Sequence, residues 1–551
     1  VTHHETEAGA DRQRNEDMRH TLLALFVVLG PVIAGAQSVT ISVDVNRDRK
    51  PIDPRIYGLA YATSAQASDL NATLNRRGGN PTSRYNWTLN ADNRGVDWFF
   101  ESLAYPSATA NGEIDAFVQA SRTGGAQPML TMPMLDWVAK LGPGRSRLAS
   151  FSVQRYGRQQ ASDPGWIDAG NGLRLDGSPV VGNDPNDANV PNSTALQGAW
   201  VDALKQRWGS AATTGVKYYL LDNEPSIWFQ SHRDVAPVGL TMDEAKQKMI
   251  DYATVVKSRE PSALVFGPEE WGWGGFIYSG YDQQQGARNG YTNFPDRNAH
   301  GGIDYVPYLL QKMRQASAQA GRRLLDALSL HYYPQGGEFS NDVSTSMQLL
   351  RNRSTRSLWD PNYTDQSWIA TRVNLIPRMR SWVGQYYPGT KLALTEYNWG
   401  AENHINGATA QADCLGIFGR EGLDFAARWT TPPTNSPVYN AFKMYRNYDG
   451  RKSTFGDTSV RATVPNPDEV AAFAATRSSD GAVTVMVVNK RLTGTVAATV
   501  NLTGVTGSRT VEVYQLKASP NRITRLTDLR VTGRITANLP AQSITLFVVK
   551  R

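Results

Sequence analysis

VKYYLLDNEPSIW, residues 216 to 228, opens as an apolar run and closes on a cluster of polar side chains. A strand buried on both faces reads as a nearly continuous apolar run. Residues 216–223 therefore predict such a strand, with Asp222, Asn223 and Glu224 emerging at its carboxyl end. In (β/α)8 barrels that end carries the chemistry. The competing reading is local: Asp or Asn caps a helix and Pro225 takes its first position. This stretch is compatible with both.

Seven further stretches repeat the pattern, at 56–61, 82–87, 127–134, 263–269, 326–333, 391–398 and 423–429. Between them lie helical spacings such as 241–260, whose apolar positions 242, 245, 249, 252, 253 and 256 share one face. Strands alternating with helices predict an α/β fold, a (β/α)8 TIM-like barrel over residues 53–452. Residues 141–199 are rich in Gly, Pro, Asp and Asn and too long for an ordinary connection, so they predict a lobe beside the active face. After 437–450, read as the last barrel helix, the texture turns all-β with turn signals such as Ser479-Asp480-Gly481. This predicts a β-sandwich of about eight strands over 453–551. The alternating segment SVTISVDV, 38–45, needs a sheet to join, and residues 37–52 are assigned to that sandwich.

Residues 18–36 have a basic start, an apolar middle and the small-x-small end Ala34-Gly35-Ala36, the pattern of a secretory signal cleaved before Gln37. Met18 reads as the natural start, and residues 1–17 as upstream sequence outside the fold. No later segment is apolar for long enough to span a bilayer. Cys414 is the only cysteine, so an exported protein here relies on its core rather than on disulfides, which favours a bacterial product. The 57 Lys+Arg against 50 Asp+Glu leave a charge of +7 scattered without a basic run, a solvated surface rather than a nucleic-acid face. A monomer is the default expectation.

In LALTEYNWG, 392–400, Glu396 also closes an apolar run. By strand count Glu224 ends the fourth barrel strand and Glu396 the seventh. Two carboxylates facing one cleft suit glycoside hydrolysis through a covalent intermediate, with a carboxyl separation of about 5–5.5 Å. Glu224 is assigned as acid/base and Glu396 as nucleophile, the latter receiving donors such as Tyr333. Asn223 is placed to bond a sugar 2-hydroxyl. Glu269 and Glu270, in PEEWGW, are the rival carboxylates, set aside because their strand breaks the fourth-and-seventh pairing. His331 and Tyr333, in SLHYYP, fit either packing or the site.

Trp87, Trp137, Trp228, Trp271, Trp273, Trp399 and Trp429 fall at or just past strand ends, where flat rings suit stacking on sugars or plugging the core. A row of such rings implies an open cleft holding a polysaccharide. No G-x-S-x-G elbow, H-E-x-x-H helix, P-loop or cysteine pair is present. The chemistry requires no cofactor. Asp44, Asn46 and Asp48 resemble the start of a calcium loop, and GNDPNDAN (182–189) is a candidate structural calcium loop, although a solvated turn is the stronger reading of both.

DNEPSIW (222–228), SALVFGPEEWGWGG (262–275), LTEYNWG (394–400) and RRGGNPTSRYNW (76–87) together resemble glycoside hydrolase family 44. The resemblance implies a retaining endo-β-1,4-glucanase acting on soluble cellulose derivatives and xyloglucan, in some members also on xylan. It implies a barrel with a β-sandwich formed from both chain ends, Glu224 as acid/base and Glu396 as nucleophile. Arg76, Asn80 and Trp87 then fall where the family lines its cleft. Other retaining barrel enzymes, a xylanase or an arabinofuranosidase, and a non-catalytic polysaccharide binder are the alternatives.

Overall fold

The computed structural model describes residues 37–551; the expected signal at 18–36 and the upstream 1–17 lie outside the described residues. A closed, all-parallel barrel is formed by Gly58–Ala60, Leu74–Arg77, Gln127–Met132, Tyr218–Leu221, Leu264–Glu270, Ala327–Tyr332, Lys391–Tyr397 and Phe425–Arg428, barrel strands one to eight. The apolar run at 216–223 has its explanation in the two-residue period of a strand. Tyr218 and Leu220 point into the barrel with Leu74, Met129, Phe266 and Phe425, while Tyr219 and Leu221 join the core beneath the helices. Inside, Tyr218, Phe266 and Phe425 meet edge to face.

The helix expected at 241–260 runs Met242–Arg259, capped by Thr241 and Glu244 in a reciprocal capping box, with all six apolar positions buried. Two expectations need correction. Residues 82–87 are not the second strand: Asn80–Arg84 is a 3-10 helix opened by Pro81, and the strand is Leu74–Arg77. Leu74 apart, its buried residues are polar and bonded internally, Asn75 to Ala62 and Ser121 and Arg77 to Tyr105, so no apolar run betrays it. The lobe is also displaced. The barrel helix Thr194–Trp208 starts inside 141–199, and the lobe's three-stranded sheet draws on Ala91–Asn93 and Glu101–Ala104 as well as Leu148–Ala149.

The second region is a ten-stranded mixed sheet of Gln37–Asp44, Lys50–Pro51 and eight strands between Thr458 and Val549. Gln37–Asp44 runs parallel to Val496–Thr503 and antiparallel to Thr458–Thr463, so the amino-terminal end is stitched into the middle of the sheet. Both faces of its central strands are buried. In Val470–Thr476, Val470, Ala472 and Ala474 enter the sheet's own core, whereas Ala471, Phe473 and Ala475 join the barrel's core. Gly416, in the barrel helix Ile405–Glu421, leaves space that a Cβ would take from the Phe473 ring.

That ring locks the sheet to the barrel. Phe473→Ala removes a buried aromatic at this junction and is expected to cost about 3–5 kcal/mol. Urea unfolding followed by circular dichroism measures it, with the native spectrum retained in the absence of urea.

Candidate active site

The fourth strand ends as its sequence requires. Asp222 turns back into the protein and accepts from the Leu135 N–H (3.2 Å), the Asn223 N–H (2.7 Å) and the Met134 N–H, tying strand four to the end of strand three. Burial pushes its carboxyl up to about 6. Glu224 follows in the left-handed backbone region, φ 47°, and its N–H donates to the Glu269 carbonyl at 3.0 Å. Pro225 does open a 3-10 helix, Pro225–Ile227, but Glu224 makes no side-chain cap bond to it. Its carboxylate is therefore free to face the barrel mouth.

There it meets Glu396. His331 lies between them, its Nδ1 2.8 Å from Glu224 Oε1 and 3.6 Å from Glu396 Oε2. One oxygen of each glutamate and a ring nitrogen of His331 lie within 4.8 Å of one another. Glu396 Oε1 accepts from Arg76 Nη1 at 2.6 Å and Oε2 from the Tyr333 hydroxyl at 2.7 Å. Arg76 and His331 both continue to Glu269 Oε2, at 3.1 and 3.2 Å. Burial raises the Glu224 pKa and the field of Glu396 adds to this, while the His331 bond opposes it. For His331 burial opposes charge, but Glu396, Glu224 and Glu269 together prevail and push it up to about 9. Glu224, His331 and Glu396 are the one group with metal-type spacing among the described residues. Glu269 is held below the usual glutamate range: burial opposes its charge, and His331 and Arg76 overcome it. Burial takes Glu270 the other way, up to about 8, bonded to Ser226 at 2.5 Å.

The R-x-G-G-N segment is explained by close approach. A Cβ at Gly78 would run into the Arg76 guanidinium, and Gly79, at φ 84°, passes 2.6 Å from the Trp429 ring at the Cβ position. Asn223 Oδ1 accepts from the Gly79 N–H at 3.1 Å and its Nδ2 donates to Asn80 Oδ1 at 3.3 Å. Asn80, Asn223, Glu224, Tyr333 and Glu396 thus line one open cleft of about 520 Å³, together with Asp97, Phe339 and Trp429.

Other expected contacts are corrected. Arg76 and His331 are fully buried and touch carboxylates rather than open space. Trp228 is sealed behind the site, its Nε1 donating to the Asn223 carbonyl at 2.9 Å, and Trp399 is sealed with its Nε1 on Ser354 Oγ at 3.0 Å; neither offers a face to a polymer. Trp87 packs on the helical core and donates to the Leu196 carbonyl. Trp271 does line an aromatic groove with Trp273, Tyr278, Tyr291, Phe294 and Trp368, and Trp368 Nε1 donates to Gln335 at the cleft edge. In the two loops read for calcium, Asp48 pairs with Arg461, and Asp187 bonds Arg155 and Tyr156. Asp97 was missed because it stands in no strand-end pattern; Glu269 was named only as a rival carboxylate, and its bridge to Arg76 and His331 spans 193 and 62 residues, beyond any local signal.

A match to glycoside hydrolase family 44 spans residues 91–336. The fold superposes on a bifunctional glucanase-xylanase from a metagenome library, CelM2, with a TM-score of 0.92 and 59% identity over 93% of this chain and 99% of that one. The chain is 34% identical to Endoglucanase A of Paenibacillus lautus over 505 residues, 86% of this chain and 67% of that protein. This chain belongs to glycoside hydrolase family 44. A xyloglucanase of the family from Paenibacillus polymyxa, 30% identical, superposes with a TM-score of 0.78 over 94% of this chain and all of that one, and has also been solved with xyloglucan. Membership sets aside the arabinofuranosidase and non-catalytic readings: the family 44 chain is a glycoside hydrolase of the endoglucanase and xyloglucanase type.

Arg76 is the cation on which two buried carboxylates depend. Arg76→Met strands them and is expected to cost about 3–5 kcal/mol at pH 7. Glu269, whose folded pKa is depressed by His331 and Arg76, contributes stability above its unfolded pKa, lost as pH falls through the folded value. Urea titrations should therefore show the deficit shrinking as pH drops below about 4.

Proposed function

We propose that this enzyme is an exported, retaining endo-β-1,4-glucanase that cleaves soluble cellulose and xyloglucan, with xylan as a further substrate. The observation that carries the mechanism is that Glu224 and Glu396 present oxygens within 4.8 Å of one another in an open cleft, which favours the carboxyl spacing of retention, about 5–5.5 Å, over that of inversion, about 6.5–9.5 Å. The substrate range rests on the glucanase, xylanase and xyloglucanase activities of the relatives. Export rests on the signal pattern at 18–36; no helix among the described residues is long and apolar enough to cross a membrane.

In the first step Glu396 attacks the anomeric carbon while Glu224 gives its proton to the leaving oxygen. Oε1 of Glu224 lies 2.8 Å from His331 Nδ1; with that nitrogen protonated Oε1 accepts from it, and the acidic proton belongs on Oε2. In the second step Glu224 takes a proton from water, which displaces Glu396. Arg76 and Tyr333 hold the Glu396 oxygens for in-line attack. Asn223, fixed by the Gly79 N–H, presents its amide to the sugar beside the scissile bond.

Glu224→Gln is expected to lower kcat about 10²–10⁴-fold on a natural polymer, with polymer binding retained, and Glu396→Gln to lower it at least as far. Wild-type enzyme should cut viscosity before much reducing sugar appears, and NMR should show the β-anomer formed first. Because the Glu224 pKa is raised, activity should persist past the usual glutamate range and fall as pH rises through the pKa of this acid. Near-normal turnover of either variant, or an α-anomer formed first, would reject the assignment.

A further inference from the structure

Glu269 is a third buried carboxylate that the two-glutamate mechanism does not use. It is fully enclosed, with Oε2 shared by Arg76 Nη2 at 3.1 Å and His331 Nε2 at 3.2 Å. Each of those cations reaches past it to a reacting carboxylate, Arg76 to Glu396 and His331 to Glu224. The backbone of Glu269 is engaged too: its carbonyl accepts the Glu224 N–H, and it shares the left-handed conformation of Glu224, at φ 59°. A carboxylate placed this way cannot touch sugar.

We infer that Glu269 is a positioning residue whose fixed negative charge holds His331 as an imidazolium, so that Nε2–H is given to Glu269 and Nδ1–H to Glu224 throughout the reaction. The inference rests on the assignment of Glu224 and Glu396 above, and charge accounting supports it. The charged groups facing His331 are Arg76, Glu224, Glu269 and Glu396, with Glu270 behind, its carboxyl pushed up by burial to about 8. With Glu224 protonated, Arg76 and His331 balance Glu269 and Glu396. When attack consumes the charge on Glu396, Glu224 has given up its proton and become the anion, so the cluster is again balanced. Neutrality at both stages requires one carboxylate that does not take part, and Glu269 is that group. A burial this complete makes imbalance costly.

The alternative is a neutral His331 whose Nε2 accepts from Arg76 Nη2, 3.3 Å away. The two arrangements differ by one proton. Coupled groups titrate as a set: Glu224 and His331 together hold two protons in the productive state, and without the Glu269 charge the second is released at lower pH.

The test begins with wild-type enzyme labelled with ¹⁵N-histidine, the His331 signals being identified by their loss in His331→Asn. Both ring nitrogens of His331 should remain protonated at pH 7 and titrate above pH 8; one unprotonated nitrogen at pH 7 overturns the proposal. In Glu269→Gln the His331 titration should move down, and the alkaline limb of the kcat profile should move down with it by about one pH unit or more. At the wild-type optimum kcat should fall about 10- to 100-fold with KM within about two-fold. A uniform fall in activity with the alkaline limb and the His331 titration unmoved marks a merely structural role and also overturns it. The wild-type spectrum needs neither the Glu269 variant nor substrate, so it can fail while the two-glutamate reading, tested by the Glu→Gln variants, stands.

Discussion

Two buried cations among three glutamates govern the mouth of this barrel. Arg76 and His331 are inaccessible to water, and so is Glu269, while Glu224 and Glu396 keep only a sliver of exposure toward the cleft. Removing such charges from water costs several kcal/mol per ion, recovered only when geometry and hydrogen bonding are nearly complete. That demand explains features which otherwise look unrelated. The glycines at 78 and 79 make room for the guanidinium and for Trp429, Tyr333 sits one residue beyond the strand that carries His331, and strand two spends its buried positions on polar side chains.

Legibility in the sequence follows from the same physics. Strand four was readable because both of its faces meet apolar neighbours, one inside the barrel and one under the helices, so the run 218–221 has no polar interruption. Strand seven is readable for the same reason, and the two terminal glutamates stand out against it. Strand two is hidden because its partners are ion pairs and amides supplied from elsewhere in the chain. Arg76 meets Glu396 across 320 residues, a separation at which no local periodicity gives a signal. The tryptophans mark the other boundary. Position after a strand end places Trp228 near the cleft but does not fix its direction, and the ring turns inward to bond the Asn223 carbonyl. Trp271, with equal standing in the sequence, turns outward into the groove.

The sheet region contributes without touching the cleft. Its central strands carry apolar residues at consecutive positions because alternate side chains serve two cores, and the polar exceptions are paired: Lys490 bonds Asp413 on the barrel helix Ile405–Glu421 at 2.7 Å, both nearly inaccessible. That helix packs between the sheet and strand seven. Phe418 meets Tyr397 edge to face, and Gln411 receives Arg428 while donating to the Tyr397 hydroxyl. The strand that ends in Glu396 is therefore braced from behind by a helix that is itself braced by the sheet.

Bracing matters because Glu224, the proposed acid, is carried on strained backbone. Glu224 and Glu269 both occupy the left-handed region, which costs a residue with a Cβ of order 1–3 kcal/mol and persists only where its surroundings over-determine it. The Glu224 N–H to Glu269 carbonyl bond joins the two strained residues, so neither can relax without breaking the other's turn. Trp228 seals one side of this pair, and the Ser226 bond to Glu270 clamps the segment immediately after Glu224. In the proposed mechanism the Glu224 carboxyl gives a proton to one oxygen and later takes one from a water at nearly the same point, and it gains from a backbone with no softer alternative. On that proposal the strained turn at 224 and the buried charges around 331 are two parts of one device: the turn sets where the proton is delivered, and the charges set when the carboxyl holds it.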